Sequence, residues 1–296
     1  MEQDNELLLF DRVNVIKDTI NKYGEENFYL SFSGGKDSTI LHYLLDMALP
    51  NNKIPRVFIN TGIEYQMIVD FVKELAEKDD RFIILLPRTP VKKMLEEYGY
   101  PFKSKEHSYK VSQWKKGLRS PNLIKYSTGA NTFACPPKLQ YQFSDEFKLK
   151  ISSQCCNKMK KEPIHQWERE TGRHIAMTGM RNEEGGQRAN IKGCILTDKN
   201  GKVYKFHPLM KVNQEWEDWF AKEHNIQFCK LYYPPFNFER TGCRGCPFAL
   251  KLQEQLDVMA QYLPNERRAC EIIWAPVYAE YRRLGYRLKD KVTIWD

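Results

Sequence analysis

Phe28-Tyr29-Leu30-Ser31-Phe32-Ser33-Gly34-Gly35-Lys36-Asp37-Ser38 is the stretch that decides the fold of this 296-residue chain. Its first five residues read as a short buried strand. Two glycines then turn the chain, and Thr39 to Leu49 reads as an apolar helix ended by Pro50. A strand that feeds a glycine-rich turn and opens a helix is built to hold phosphate. Gly34 and Gly35 let the backbone come close to an anion, and the free N–H groups and dipole of the helix start hold it. Ser33, Lys36 and Ser38 add donors, Asp37 adds a carboxylate, and Ser31 at the strand end is grouped with them. The Walker A pattern is excluded, because it needs Gly where Leu30 stands and Ser or Thr where Asp37 stands. The G-x-G-x-x-G pattern is absent too. A plain surface turn is the competing reading, and the flanking strand and helix argue against it.

Outward from this stretch, strands alternate with helices. Leu7 to Ile20 has the apolar spacing of an amphipathic helix, and Arg56 to Ile59 and Phe82 to Leu86 read as strands. Tyr65 to Glu77 and Val91 to Tyr98 read as helices. This alternation predicts an α/β fold with a doubly wound parallel sheet. It stops near Gly99, and residues 100–160 are polar, basic and irregular. It resumes with a helix at Pro163 to Glu170, a strand at His174 to Thr178, and a hairpin of Ile191 to Leu196 with Lys202 to Phe206. From Asn213 on the chain reads as mainly helical. The expected organisation is a nucleotide-binding domain over 1–247, carrying a basic insertion at about 100–160, and a helical C-terminal extension over 248–296.

Composition is that of an ordinary globular protein, with 42% hydrophobic and 28% charged residues. No apolar run is long enough to span a membrane. The acidic start Glu2-Gln3-Asp4-Asn5-Glu6 is unlike a signal peptide, so a cytoplasmic protein with no membrane partner is expected. The net charge of +8 is uneven. Residues 88–161 hold 16 Lys and Arg against 5 Asp and Glu, so this stretch alone is +11 and the remainder is −3. Within it Lys103, Lys105, Lys110, Lys115, Lys116 and Lys125 interleave with Tyr100, Phe102, Tyr109, Trp114 and Tyr126. Cations for phosphate and rings for stacking suit a single-stranded nucleic-acid acceptor. A solvated lid over the nucleotide fits the same composition.

Eight cysteines are many for a reducing compartment, where clusters of them point to metal or catalysis. Cys243-Arg244-Gly245-Cys246 is a C-x-x-C knuckle that puts two thiolates on one centre. Cys155-Cys156 completes four. Vicinal cysteines on one zinc ion are strained, whereas a cubane offers each thiolate its own iron, so a [4Fe–4S] cluster is favoured over zinc. Cys135, Cys194, Cys229 and Cys270 are expected to be ordinary packing residues.

Ser-Gly-Gly-x-Asp-Ser resembles the PP-loop of the ATP pyrophosphatases. Asn60-Thr61-Gly62-Ile63-Glu64 follows the second strand, where an open sheet binds its ligand. Thr178-Gly179-Met180-Arg181, with Glu183, Glu184 and Arg188, follows a later strand, and its arginines can grip phosphate or sulfate bidentately. Pro208-Leu209-Met210 precedes Trp216 and Trp219. From Phe28 to Pro247 these segments resemble the phosphoadenosine phosphosulfate (PAPS) reductase family of the adenine nucleotide α-hydrolase-like superfamily, which has a HUP, Rossmann-like fold. Cys-Cys, a long gap and Cys-x-x-Cys-Pro resemble the cluster cysteines of adenosine phosphosulfate (APS) reductases in that family.

The resemblance implies an adenine nucleotide, ATP foremost, held by Ser31, Ser33 to Ser38, Asn60, Thr61, Gly62, Glu64 and Gly179. Two features separate this chain from the sulfonucleotide reductases. It lacks their Glu-Cys-Gly-Leu-His segment, and its phosphate loop is intact where theirs is usually degenerate. The expected chemistry is attack of an acceptor oxygen on the α-phosphate of ATP, with pyrophosphate leaving and Mg2+ neutralising charge. Asp37, Lys36, Arg181 and Arg188 are the candidate catalytic residues. Sulfur, brought by a donor protein, then displaces AMP. The alternatives are an APS or PAPS reductase and a non-catalytic nucleotide-sensing subunit of a complex.

Overall fold

The computed structural model describes residues 2–130, 134–184, 191 and 193–289. The chain divides into two compact units. The first comprises the residues up to Asn60, Gln66–Leu86 and Ile164–Thr241; the second comprises Thr61–Tyr65, Pro87–Pro163 and the residues from Gly242 on.

The first unit is the α/β sheet. After helix α1 (Glu2–Tyr23) come β1 (Phe28–Ser31), α2 (Lys36–Ala48), β2 (Arg56–Ile59), α3 (Gln66–Lys78) and β3 (Phe82–Leu85). The order of the six strands is β3-β2-β1-β4-β6-β5, with β4 at Ile175–Met177, β5 at Ile195–Thr197 and β6 at Val203–Phe206. All pairings are parallel except β5 with β6. Alternation of side chains places Tyr29, Val57 and Ala176 on one face, where Ile164 and Trp167 of α7 (Glu162–Thr171) pack on them. On the other face Phe82 meets Phe32 and His42 edge-on, at 5.0 and 5.2 Å between ring centroids, so α2 covers that side. The doubly wound parallel sheet read from the alternation is therefore the observed one. Its order reverses beside β1, so the loops after β1 and β4 meet at the switch point where open sheets bind ligands. The hairpin turn between β5 and β6 is set by Asp198, whose Oδ1 accepts the N–H groups of Asn200 at 2.8 Å and Lys202 at 3.0 Å.

A buried cation ties α2 to β2. Arg56 is wholly buried in a strand, and its guanidinium donates to Asn52 Oδ1 at 2.8 Å, Asp46 Oδ1 at 2.6 Å and His42 Nδ1 at 3.1 Å. Arg81 holds the same Asp46 at 2.7 Å. A strand arginine is tolerated here because its donors are met.

In the second unit, residues 100–160 are more regular than their composition suggests. They contain α5 (Lys105–Lys115) and α6 (Pro121–Thr128), after α4 (Val91–Tyr98). The reason is capping. Ser104 Oγ accepts the His107 N–H at 3.1 Å, Ser120 Oγ accepts that of Leu123 at 3.4 Å, Pro121 opens α6, and Gly129 closes it at φ +81°. After α8 (Gln214–Glu223) in the first unit, α9 (Leu252–Tyr262), α10 (Pro264–Ile273) and α11 (Ala275–Leu284) complete the second. Tyr281 Oη accepts the Lys103 N–H and donates to Pro247 O, both at 2.8 Å, and so joins the basic stretch to the C-terminal helices. Among the described residues no helix is long and apolar enough to cross a membrane.

Two buried histidines carry a pH-dependence. Burial, then the Arg56 charge, lowers His42 to about 4; burial also lowers His107 to about 4, against the help of Gln142. Above the ordinary value of about 6.5 both are neutral in folded and unfolded chain alike. Below it the unfolded chain takes up protons that the folded chain refuses, so stability falls as pH drops from 6.5 towards 4. By pH 5 the loss should be on the order of 2 kcal/mol for each histidine. Urea unfolding at a series of pH values checks this, and His42→Gln should flatten the slope in that window.

Candidate functional site

The loop after β1 closes on itself through its serine hydroxyls. The Ser33 N–H donates to Ser38 Oγ at 3.2 Å, the Gly35 N–H to Ser33 Oγ at 3.2 Å, and Ser38 Oγ to Gly35 O at 3.0 Å. Gly34 sits at φ +71°, where a Cβ would lie 2.8 Å from Ile68 Cγ2. Gly35 caps α2, and the first intrahelical bond is Thr39 N–H to Gly35 O at 3.0 Å. The N–H groups of the first turn precede that ladder and face outward with the positive end of the dipole. Gly179, just past β4, brings a second bare backbone against the loop. A Cβ there would lie 2.7 Å from the Asp37 carbonyl carbon and oxygen.

An open cleft of about 210 Å³ lies at this helix start, lined by Ser33, Gly35, Lys36, Asp37, Arg181, Gln214, Tyr232, Glu239, Arg240 and Thr241. Arg181 is 6% exposed and stands among carboxylates. Its Nε is 3.3 Å from Asp37 Oδ1, and its Nη1 is 3.1 Å from Glu183 Oε2. Its Nη2 donates to Gln214 Oε1 at 3.0 Å. Glu217 completes the group at 3.6 Å from Arg181 Nε, and neither of its oxygens has a hydrogen-bond partner among the described residues. Burial, then the charge of Asp37, raises Glu217 well above the ordinary carboxylate range. The Lys36 ammonium lies 5.4 Å from the Tyr232 ring centroid and 5.9 Å from that of Phe228. Tyr232 Oη is hydrogen-bonded to Thr241 Oγ1.

Of the residues read from the sequence, Ser33, Gly35, Lys36, Asp37 and Arg181 line this cleft. Gly34, Ser38 and Gly179 shape the backbone around it. Ser31 is exposed at the end of β1 and does not line it. Asn60 closes β2, its N–H donating to Leu85 O at 2.9 Å. Arg188 lies outside the described residues. Glu217, Gln214, Tyr232 and Thr241 were not read as site residues. The signal for Glu217 was an acid between Trp216 and Trp219 on an amphipathic helix; Tyr232 and Thr241 carry no local signal.

The second unit gathers the other candidates. Thr61 and Glu64 form a capping-box-like turn: Glu64 Oε2 accepts the Thr61 N–H at 2.7 Å and the Thr61 hydroxyl at 2.8 Å, with Gly62 between them at φ +81°. Glu64 is buried and pairs with Lys160 at 3.3 Å. Cys155 and Cys156 open a π turn at Asn157–Lys161 that also carries Lys160. The C-x-x-C knuckle is clamped from behind. Trp274 Nε1 donates to Arg244 O at 3.1 Å, Tyr278 Oη to Gly245 O, and Tyr281 Oη to Pro247 O. Gly245 sits at φ +58°, and a Cβ there would lie 2.5 Å from Tyr278 Oη and 2.7 Å from Cys270 Sγ.

The four thiols share one neighbourhood, with Cys155 buried and Cys156, Cys243 and Cys246 half-buried. Burial pushes Cys155 up, and the charges of Cys243, Cys156 and Cys246 add to it. Burial also raises Cys243, and it pushes Cys246 up to about 12 with Cys243 adding to it. Burial alone would lower Lys160, but Cys243 and Glu64 outweigh it and raise its pKa. No three of the four sulfurs come within 4.8 Å of one another. A single zinc ion with bonds of about 2.3 Å needs them closer than that. A cubane, which gives each thiolate a separate iron, tolerates the wider spacing. Cys135 and Cys270 are buried with raised pKa values of about 12, the state of unreactive packing thiols.

The aromatic residues of the basic stretch divide differently from the sequence expectation. Phe102 and Tyr126 are buried in the core of the second unit. Trp114 packs edge-on to Phe143 at 5.5 Å and has Arg119 over its ring at 3.7 Å. Phe102 and Tyr126 are not open for stacking on bases, because the unit needs them as its own apolar core, and Trp114 is half-buried with Arg119 over its ring. Tyr109 is 54% exposed.

The sequence profile of the phosphoadenosine phosphosulfate reductase domain matches residues 27–131 and 130–249. A curated relative, an uncharacterized protein of Methanocaldococcus jannaschii, is 32% identical over 93 residues, which cover 31% of this chain and 22% of that protein. The match thus spans about a fifth of that relative's length. Among solved structures, the PAPS reductase of Candida auris in a phosphate complex aligns over 78% of this chain and 93% of its own, with 14% identity and a TM-score of 0.43. The FMN adenylyltransferase of Candida glabrata with FAD and pyrophosphate aligns over 81% and 62%, with 15% identity and a TM-score of 0.48. The U34-tRNA thiolase of Methanococcus maripaludis with its [4Fe–4S] cluster aligns over 95% and 80%, with 14% identity and a TM-score of 0.40. With its profile covering most of the sequence, from the strand before the glycine loop to the residues after the C-x-x-C knuckle, this chain belongs to the phosphoadenosine phosphosulfate reductase domain family.

Proposed function

We propose that this chain is an adenylating enzyme that cleaves ATP to AMP and pyrophosphate and activates an acceptor oxygen for replacement by sulfur. The observation that carries this reading is the intact Ser-Gly-Gly-x-Asp-Ser loop, whose bare backbone opens on a polar cleft at the start of α2. Gly34, Gly35 and the first turn of α2 take the pyrophosphate end of ATP, with Ser33, Ser38 and Lys36 as further donors. Asp37 and the buried Glu217 beside it are carboxylates suited to a magnesium ion carried in with the nucleotide. Arg181 is held rigidly by Asp37, Glu183 and Gln214, so its charge is already in place as pyrophosphate departs. The acceptor oxygen bonds to the α-phosphorus, the bond from that phosphorus to the bridging oxygen breaks, and pyrophosphate leaves with the electron pair. Sulfur at the sulfide level, from a donor protein, then bonds to the acceptor carbon as AMP leaves.

Cys155, Cys156, Cys243 and Cys246 would hold a [4Fe–4S] cluster. The donor set supports this: four converging thiols, spaced too widely for one ion, with the Lys160 ammonium placed to offset thiolate charge. When bound, such a cluster supplies iron with affinity for sulfide.

Wild-type protein should release pyrophosphate from ATP when given its acceptor. Asp37→Ala should fold normally, judged by its thermal midpoint, and lose about 100-fold or more of that rate. Sulfite formed from PAPS with reduced thioredoxin, and never pyrophosphate from ATP, would replace this reading with the reductase. Nucleotide binding without any turnover would leave a sensing subunit. In Gly35→Val the new side chain starts 3.1 Å from Ser33 Oγ and 3.4 Å from Tyr232 Oη and grows into the cleft. ATP affinity measured by calorimetry should fall by more than about tenfold, as an anion loses close backbone contact. Anaerobically purified protein should be brown and hold about four irons per chain, and Cys243→Ser should lose both. Tightly bound zinc without iron in fresh protein would rule the cluster out.

A further inference from the structure

Two clefts in the second unit share one wall. The first, of about 460 Å³, includes Tyr109, Lys115, Lys116 and Lys148 in its lining; the second, of about 450 Å³, includes Tyr109, Lys105, Lys161 and Cys156. Ser153 and Gln154 line both, so Tyr109 stands between two compartments, each large enough for a nucleotide. Tyr109 is presented on α5 and is 54% exposed, while Phe102 and Tyr126 nearby in sequence are buried.

Lysines outnumber carboxylates around it, since Glu97 is the one acid lining the first cleft and Glu106 the one acid lining the second. Two lysines of this region pair with carboxylates one helical turn away, Lys110 with Glu106 and Lys158 with Glu162, each at 2.7 Å. Lys105, Lys116, Lys148 and Lys161 are exposed and have no carboxylate partner among the described residues. Lys115 donates to the backbone carbonyl of Phe147 at 3.0 Å, which fixes its position without cancelling its charge. The second cleft then reaches Cys156, with the side-chain amides of Gln154 and Asn157 beside it.

The geometry points to a single-stranded nucleic acid lying in these two clefts, its phosphates on the lysines, one base stacked on Tyr109 and the next directed to Cys156. A strand supplies what the clefts lack: a line of anions at a spacing that unpaired lysines can follow, and a flat apolar face for a lone exposed ring. Asn157 Nδ2 donates to Gln154 Oε1 at 3.4 Å, and the Gln154 amide N–H groups and Asn157 Oδ1 offer donors and an acceptor to a base edge. This deepens the reading above by naming the acceptor class; it rests on that reading only for what is done to the bound strand.

The test uses the full chain without ATP and a labelled single strand of about 12 nucleotides, followed by fluorescence anisotropy over a range of salt. The logarithm of affinity should fall against that of salt with a slope near 3, since four lysines each neutralise one phosphate at about 0.7. Tyr109→Ala should bind roughly tenfold more weakly and Tyr109→Phe as well as wild type, because the ring rather than the hydroxyl stacks. Lys116→Gln with Lys148→Gln should lower the slope by about 1.4. All three variants change exposed groups, and unchanged iron content and circular dichroism verify their folding. Comparing RNA with DNA of one sequence identifies the strand. Equal binding of the duplex, equal binding of inorganic polyphosphate, a flat salt response or an unaffected Tyr109→Ala would each overturn the proposal. Strand binding without pyrophosphate release on adding ATP would sink the adenylation reading and leave the groove. Pyrophosphate release with another acceptor, and no strand binding, would do the reverse.

Discussion

Close approach of bare backbone is the constraint on which the first unit depends. Strand β4 ends against the start of α2 with room for no side chain, since a Cβ on Gly179 would stand 2.7 Å from the Asp37 carbonyl. Gly34 turns the chain at φ +71° with Ile68 against it for the same reason. Both contacts lie where the order of the sheet reverses, so the N–H groups of the first turn of α2 face a cleft instead of packed protein. Everything else at that cleft, from the serine hydroxyls to the carboxylates around Arg181, is arranged around an opening that two glycines create.

Charge burial is handled in two ways. Arg56 is a structural cation whose donors are met by Asp46, Asn52 and His42, and it serves to bind α2 to the sheet. Arg181 and Glu217 are different, for the Nε of one and both oxygens of the other lack hydrogen bonds among the described residues. Unmet polar atoms at a buried site cost free energy, on the order of 1–3 kcal/mol per group, and such cost is retained where a ligand relieves it. The second unit shows a parallel case. Cys155, Cys243 and Cys246, whose pKa values burial raises, stand near a lysine whose charge is held by Cys243 and Glu64, an arrangement that favours thiolates over thiols once something binds them.

The C-terminal helices give the cysteine knuckle its shape. Trp274, Tyr278 and Tyr281 each donate a hydrogen bond to a carbonyl between Arg244 and Pro247, and Gly245 lies too close to Tyr278 and Cys270 to carry a side chain. The knuckle is therefore held by aromatic donors that follow it in sequence by about 30 residues.

By itself the sequence determined what local spacing can carry. Short buried runs such as Arg56 to Ile59 and the punctuation of Gly34, Gly35 and Pro50 were enough for the parallel sheet and for the glycine turn that opens α2, because each depends on residues within one turn or strand. The caps Ser104 and Ser120 were equally local, yet the polar composition around them hid α5 and α6, since those helices bury few side chains and show little apolar period. What only the tertiary structure decided depends on residues far apart in sequence. Arg181 meets Asp37 across 144 positions and Glu217 across another 36, and no local pattern marks such partners. Which rings of the basic stretch face solvent was also beyond reach. Phe102, Tyr126 and Tyr109 share one composition, and only packing against Phe143 and Tyr281 sends the first two inward and leaves the third at the surface.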